Sequence, residues 1–202
     1  MKVSSMPLRW AAIAGLVLCL SGGCMRATRP ENFYTLSSMT RSTATAAGEA
    51  TWVIGIGPVQ LPDALKRPQI VTRIGRNRLQ VAEFDRWAGP LEREVSRVMA
   101  ENLSLLLGTD RVIQYPWAAS TPPTHRVDLE IRRFDGGPGQ EAILNVTWTV
   151  CAAGPGSNSI RRKSVLSEPV GDGGYPSLVA AQSRLLEALG RQIAASLETL
   201  AK

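Results

Sequence analysis

Residues 52–90 read WVIGIGPVQLPDALKRPQIVTRIGRNRLQVAEFDRWAGP, and the fold is decided here. Trp52 to Val59 is apolar and rich in β-branched side chains, interrupted by Gly55 and Gly57. That composition predicts a buried strand whose backbone is closely approached by a neighbour at the glycines. Leu61-Pro62-Asp63-Ala64-Leu65 follows, and Pro62 suits the start of a short helical turn. Pro68 ends that turn, because the residue before a proline is pushed out of the α region. Gln69 to Ile74 and Arg78 to Phe84 are strand-like runs around Gly75-Arg76-Asn77, which predicts a hairpin. Arg86-Trp87-Ala88-Gly89-Pro90 then leads into a helix.

Downstream, Leu91, Val95, Val98, Met99, Leu103, Leu106 and Leu107 keep helical spacing, and Gly108 suits the stop. Arg111 to Trp117 is predicted as a strand that ends at Pro116. His125 to Phe134 alternates Val127, Leu129 and Ile131 with Asp128, Glu130 and Arg132, a half-buried pattern. Glu141 to Cys151 and Ile160 to Glu168 are two more strands, and Trp148 is expected to be buried on the sheet, with Trp87 buried at the helix entry. Pro176 to Ala201 is the last helix, with Leu178, Ala181, Leu185, Leu189, Ile193 and Leu197 inward. Upstream, Phe33 to Leu36 is a short first strand, and the Ser-, Thr- and Ala-rich stretch 37–51 is a loop. The order predicts an α+β sandwich, with two long helices packed against one mostly antiparallel sheet.

The chain has 202 residues, 44% hydrophobic and 20% charged, enough for one domain with a real core. Residues 1–23 read as a secretion signal. Lys2 and Arg9 form a basic end, and Trp10 to Leu20 is an apolar run too short to span a bilayer. Ser21-Gly22-Gly23-Cys24 reads as a lipobox, with a small residue before the cysteine whose thiol accepts diacylglycerol; Cys19 is excluded because Leu18 precedes it. Expected boundaries are a signal at 1–23, a lipidated Cys24 and tether over 24–30, and a domain over 31–202. Two or more acyl chains give stable anchoring. By analogy with enterobacterial sorting, Met25 in place of Asp favours the outer membrane. The plain alternative is an ordinary cleaved signal with an incidental cysteine.

The net charge of +6 includes Lys2 and Arg9, which leave with the signal. Lys66, Arg67, Arg73, Arg76 and Arg78 form the one basic cluster. It reads either as contact with anionic head groups or an acidic partner, or as a charged hairpin edge kept from aggregating. Export argues against nucleic acid as a partner. Cys151 is a lone thiol expected as a small core residue, and no metal-ligand spacing occurs. His125 reads as a strand-edge side chain rather than a general base. Asp128 and Glu130 share a face expected to be solvated, unlike a buried acid–base pair. No nucleotide, hydrolase or metalloprotease motif is present, so the expectation is no enzyme, no cofactor and no metal.

Gly57-Pro58-Val59, Leu61-Pro62, Leu65, Arg67-Pro68-Gln69-Ile70-Val71-Thr72-Arg73, Arg86-Trp87 and Pro90-Leu91 form an ordered set. With Phe33-Tyr34-Thr35-Leu36, Tyr115-Pro116-Trp117 and Trp148, it resembles the ABC-type transport auxiliary lipoproteins. One departure is Lys66, where an acidic residue is expected. The resemblance implies an accessory part of an envelope lipid-transport complex with a permease, an ATPase and an MCE-type periplasmic protein. This chain would dock that assembly at the periplasmic face of the outer membrane. A free-standing structural or peptidoglycan-associated envelope lipoprotein is the alternative. Leu61 and Leu65 lie four apart on a proline-bracketed turn beside Lys66 and Arg67. They predict either a stiff apolar contact surface for a transport partner or a second copy of this chain, or two core leucines.

Overall fold

The computed structural model describes residues 29–40, 52–154 and 157–200. The signal, Cys24 and the tether up to residue 28 lie outside the described residues. Residues 31–202 cluster as one unit, and it alone is described below.

Strand β2 (Ile54–Gln60) lies inside a five-stranded sheet of order β5-β2-β6-β7-β8. Its first four residues are all buried, as suits a strand with parallel neighbours on both sides. Those neighbours are β5 (Val112–Gln114) and β6 (His125–Asp135). The close approaches predicted at the glycines are present. A Cβ on Gly55 would stand 2.8 Å from Pro123, and one on Gly57 would collide with the Asp128 carboxylate. β7 (Glu141–Ala152) pairs antiparallel with β6, and β8 (Ser159–Pro169) pairs antiparallel with β7.

Helix α1 (Leu91–Leu107) opens after Pro90, with Glu92 and Glu94 complementing the positive end of its dipole. Gly108 closes it in the left-handed conformation at φ 62°, where glycine carries no Cβ penalty. The crossover from β2 through α1 to β5 makes that pair parallel. Helix α2 (Gly174–Leu200) packs beside α1, and both cover one face of the large sheet. Gly190 stands at their crossing, where a Cβ would press on Asn102 and Leu106 at 3.4 Å. Val127, Leu129, Ile131, Leu144, Val146, Trp148 and Val150 point into the core from β6 and β7. Trp148 is 1% exposed; its indole Nε1 donates to Ser164 Oγ at 2.9 Å, and that hydroxyl donates to Gln192 on α2 at 2.6 Å. Among the described residues, no helix is long and apolar enough to cross a membrane.

Two expectations are corrected. The described residues form two sheets, not one, and both are mixed rather than mostly antiparallel. β3 (Gln69–Arg73) and β4 (Leu79–Trp87) leave the large sheet as the predicted hairpin and pair instead with β1 (Asn32–Tyr34), in the order β1-β4-β3. β1 runs parallel to β4, and β2 runs parallel to both its neighbours. Alternation along one strand sets its buried face and carries no information on the direction of its neighbour, so the parallel pairs were invisible in the sequence. Strand 111–117 shortens to Val112–Gln114, since Pro116 has no N–H to offer a ladder.

Candidate functional site

The turn after β2 is a single 3-10 turn, Asp63–Leu65, entered from Pro62. Leu61 and Leu65 lie on the same side of it, as their spacing requires, and that side faces inward: each is 6% exposed and part of the core. The apolar knob is therefore absent from the surface. What the turn presents to solvent is Asp63, Lys66 and Arg67. Lys66 Nζ bonds Asp63 Oδ1 at 2.8 Å, which raises the Lys66 pKa and lowers that of Asp63. Arg67 is exposed and makes no ion pair among the described residues.

Beside this turn lies a cleft of ≈ 360 Å³. Lys66, Arg67 and Pro68 form one wall, and Trp87 to Glu92 form the other, ending in the first turn of α1. The walls are held together by the backbone, through Trp87 N–H donating to Pro68 O at 2.7 Å. Trp87 is 4% exposed, and Leu91 is buried below it. The cleft thus has an apolar base of proline, tryptophan and leucine and a charged rim of Lys66, Arg67 and Glu92. It offers shape, apolar area and a guanidinium that makes no ion pair among the described residues, which suits binding. Sequence reasoning singled out Lys66 and Arg67 but missed the second wall. The available signal was the paired recurrence of RP and RW-x-x-PL, nineteen residues apart along the chain and adjacent in space.

A second set of bonds locks the segment after β1 onto the helices. Glu94 Oε2 accepts from Thr35 Oγ1, from the Leu36 backbone N–H at 3.3 Å and from Arg97 Nη2 at 3.0 Å. Burial pushes the Glu94 carboxyl up, but the Arg97 and Thr35 bonds outweigh it and leave the pKa lowered. Arg97 also donates to Leu36 O at 2.6 Å, Ser37 N–H to Ser183 Oγ at 3.1 Å, and Met39 N–H to Asn102 Oδ1 at 2.8 Å. Within the small sheet, Tyr34 Oη donates to Asp85 Oδ1 at 2.8 Å. Burial, then that bond, push the Tyr34 pKa up to about 12.

The remaining polar candidates are not among the residues that line this cleft. The His125 ring lies 5.3 Å from that of Trp52, tilted by 45°, and shares a 3.1 Å bond with Thr124 Oγ1; burial lowers its pKa. Asp128 pairs with Arg126 at 2.6 Å, and Glu130 with Arg132 and Arg161 at 3.1 and 3.5 Å, on the solvent side of the large sheet. Cys151 is half-buried at the end of β7. Among the described residues, no group of three or more His, Cys, Asp or Glu is placed to hold a metal ion.

Two helices on one face of a mixed sheet, with a separate small sheet carrying the RP and RW-x-x-PL segments, define an α+β domain that has solved counterparts. A crystal structure of an uncharacterized protein superposes with TM-score 0.67 at 18% identity, covering 83% of this chain and 99% of that one. A Xanthomonas campestris protein, assigned to a domain family of unknown function, gives 0.68 at 12% identity, covering 84% and 96%. These likenesses concern the fold alone. No curated protein matches the sequence. Residues 34–194 match the ABC-type transport auxiliary lipoprotein component family, and the chain belongs to that family.

Proposed function

We propose that this chain is a non-catalytic, lipid-anchored accessory protein that docks an ABC/MCE-type lipid-transport assembly at the periplasmic face of the outer membrane. Cys24 carries the lipid, and residues 24–30 are the tether. The family match over residues 34–194 is the observation that carries this reading. Support comes also from the cleft beside the 3-10 turn, whose lining residues Arg67, Pro68, Trp87, Pro90 and Leu91 belong to the ordered set that resembles the family. Lys66 and Arg67 at its rim are the contact residues, and an acidic or apolar segment of the MCE-type partner is the chemistry they fit. Leu61 and Leu65 serve from beneath by holding the turn in place.

The test is a purification of the native protein from membranes with its partners identified. A permease, an ATPase or an MCE-type protein in the eluate supports the proposal; a peptidoglycan fragment alone contradicts it. In parallel, Cys24→Ser should abolish fatty-acid labelling and release the domain from the outer-membrane fraction. A Cys24→Ser protein that still incorporates label overturns the anchoring assignment.

A further inference from the structure

The hairpin joining β3 to β4 projects from the small sheet with a composition the docking role does not use. Every residue from Ile74 to Val81 is exposed. Among them Ile74 is 41%, Leu79 37% and Val81 43% exposed, while Arg76 and Arg78 form no ion pair among the described residues. The hairpin is firmly based. Ile74 N–H donates to Arg78 O at 3.1 Å, and Arg73 N–H to Gly136 O at 3.1 Å. The buried Asp135 carboxylate takes Arg73 Nη2 at 2.8 Å and Arg133 Nε at 2.7 Å. Arg73 is thus committed to the base, which leaves two arginines and three aliphatic side chains at the tip. That pairing of apolar side chains with unpaired guanidinium groups matches a bilayer interface with anionic head groups.

The direction of the chain selects that occupant. β1 is parallel to β4, with Asn32 opposite Asp85, so the chain enters β1 from the side on which the hairpin tip lies. From Asp85 back to Leu79 is six strand residues, about 20 Å. The eight residues from Cys24 to Glu31 extend to at most about 28 Å. A lipid on Cys24 and the tip at Arg76-Asn77-Arg78 are therefore able to meet one membrane plane. We infer that the Ile74–Val81 hairpin is a second membrane contact, seating its aliphatic side chains in the interface of an anionic bilayer while Arg76 and Arg78 hold the head groups. This rests on the anchoring of Cys24 proposed above, and it adds an orientation: the small sheet faces the lipid.

The test separates the two. The lipidated protein, with Cys151→Ser, is placed in vesicles of phosphatidylcholine alone or mixed with phosphatidylglycerol. An environment-sensitive fluorophore is attached at Asn77→Cys or, as a control at the far end of β7 and β8, at Ser157→Cys. A blue shift and quenching by head-group-labelled lipid at position 77 only, and stronger with phosphatidylglycerol, are expected. Equal, water-like emission at both positions overturns the inference. Independently, the Cys24→Ser chain, released from native membranes, should still sediment weakly with excess vesicles rich in phosphatidylglycerol, and adding Arg76→Glu and Arg78→Glu should weaken that binding by at least about thirty-fold. Unchanged sedimentation, or tip protection that requires an acidic protein and no vesicles, contradicts it. Acylation is read separately by the mass of the native protein, so a missing lipid and an idle hairpin are distinguishable.

Discussion

The large sheet and the small sheet use similar strands but different means of support. On β7 and the first part of β6 every second residue is buried beneath two helices, and polar links cross that layer from Trp148 through Ser164 to Gln192 and from Gln182 to Phe134 O. The small sheet has no helix of its own. Its inner residues Ile70, Val71, Ala82 and Trp87 join the common core, and polar bonds add discrete points of support: Tyr34 to Asp85, Arg73 to Asp135, and Trp87 N–H to Pro68 O. Apolar area removed from water contributes about 25 cal/mol per Å² and is spread over many residues, whereas a hydrogen bond contributes about 1 kcal/mol at one place. The large sheet therefore acts as a scaffold. The small sheet and the 3-10 turn reach that scaffold's core through one face, with Leu61, Leu65, Ile70, Val71, Ala82 and Trp87, while their outer surfaces stay exposed.

Trp148 gives the largest expected break. Trp148→Ala should cost about 3–5 kcal/mol, from a lost aromatic and the cavity it leaves, and should lower the melting temperature enough to unfold a marginal domain. An unchanged melting temperature would mean that the helix layer does not support β7. Leu65→Asp comes next, with an expected loss of about 3 kcal/mol or more, because a carboxylate would occupy an apolar site. Circular dichroism should show unfolding or a sharply lowered midpoint; a folded variant of normal stability would restore Leu65 to the surface.

The legible parts of the sequence were those written in periodicity. The bounds of α1 were readable because a seven-residue stripe ended at Gly108, and β6 because Val127, Leu129 and Ile131 alternated with charges. Gly55 and Gly57 announced their close neighbours. What could not be read was which strands are adjacent, and in which sense. A three-residue strand such as β1 has too few residues to show a pattern, and its partner is 53 residues away. The same gap hid the cleft. Lys66 and Arg67 were recognisable as exposed cations, but their juxtaposition with Trp87 and Pro90 depends on long-range backbone pairing. The spacing of Leu61 and Leu65 fixed a shared side and left inward or outward open; the fold turned it inward.

Tyr34 probes the point-by-point support of the small sheet. Tyr34→Phe removes one bond to Asp85 and should cost about 1 kcal/mol at neutral pH. Its folded pKa, near 12, is raised above the ordinary value of 10.0. The stabilisation is therefore full below pH 10 and is lost as pH rises from about 10 to about 12. Thermal midpoints measured across that range should fall in the native protein and fall less in Tyr34→Phe. Parallel curves would remove Tyr34 from the support of the sheet.

Arg67 should matter least to stability and most to docking. The side chain is exposed and makes no ion pair among the described residues, so Arg67→Glu should leave the melting temperature within the range of ordinary surface changes, about 0.5 kcal/mol. The decisive measurement compares native and Arg67→Glu proteins, each confirmed as folded, in a quantitative pull-down of transport partners from solubilised envelopes. Recovery of partners by Arg67→Glu should fall several-fold at unchanged stability. Full recovery of partners by the folded Arg67→Glu protein would contradict the assignment of this turn and cleft as the docking surface.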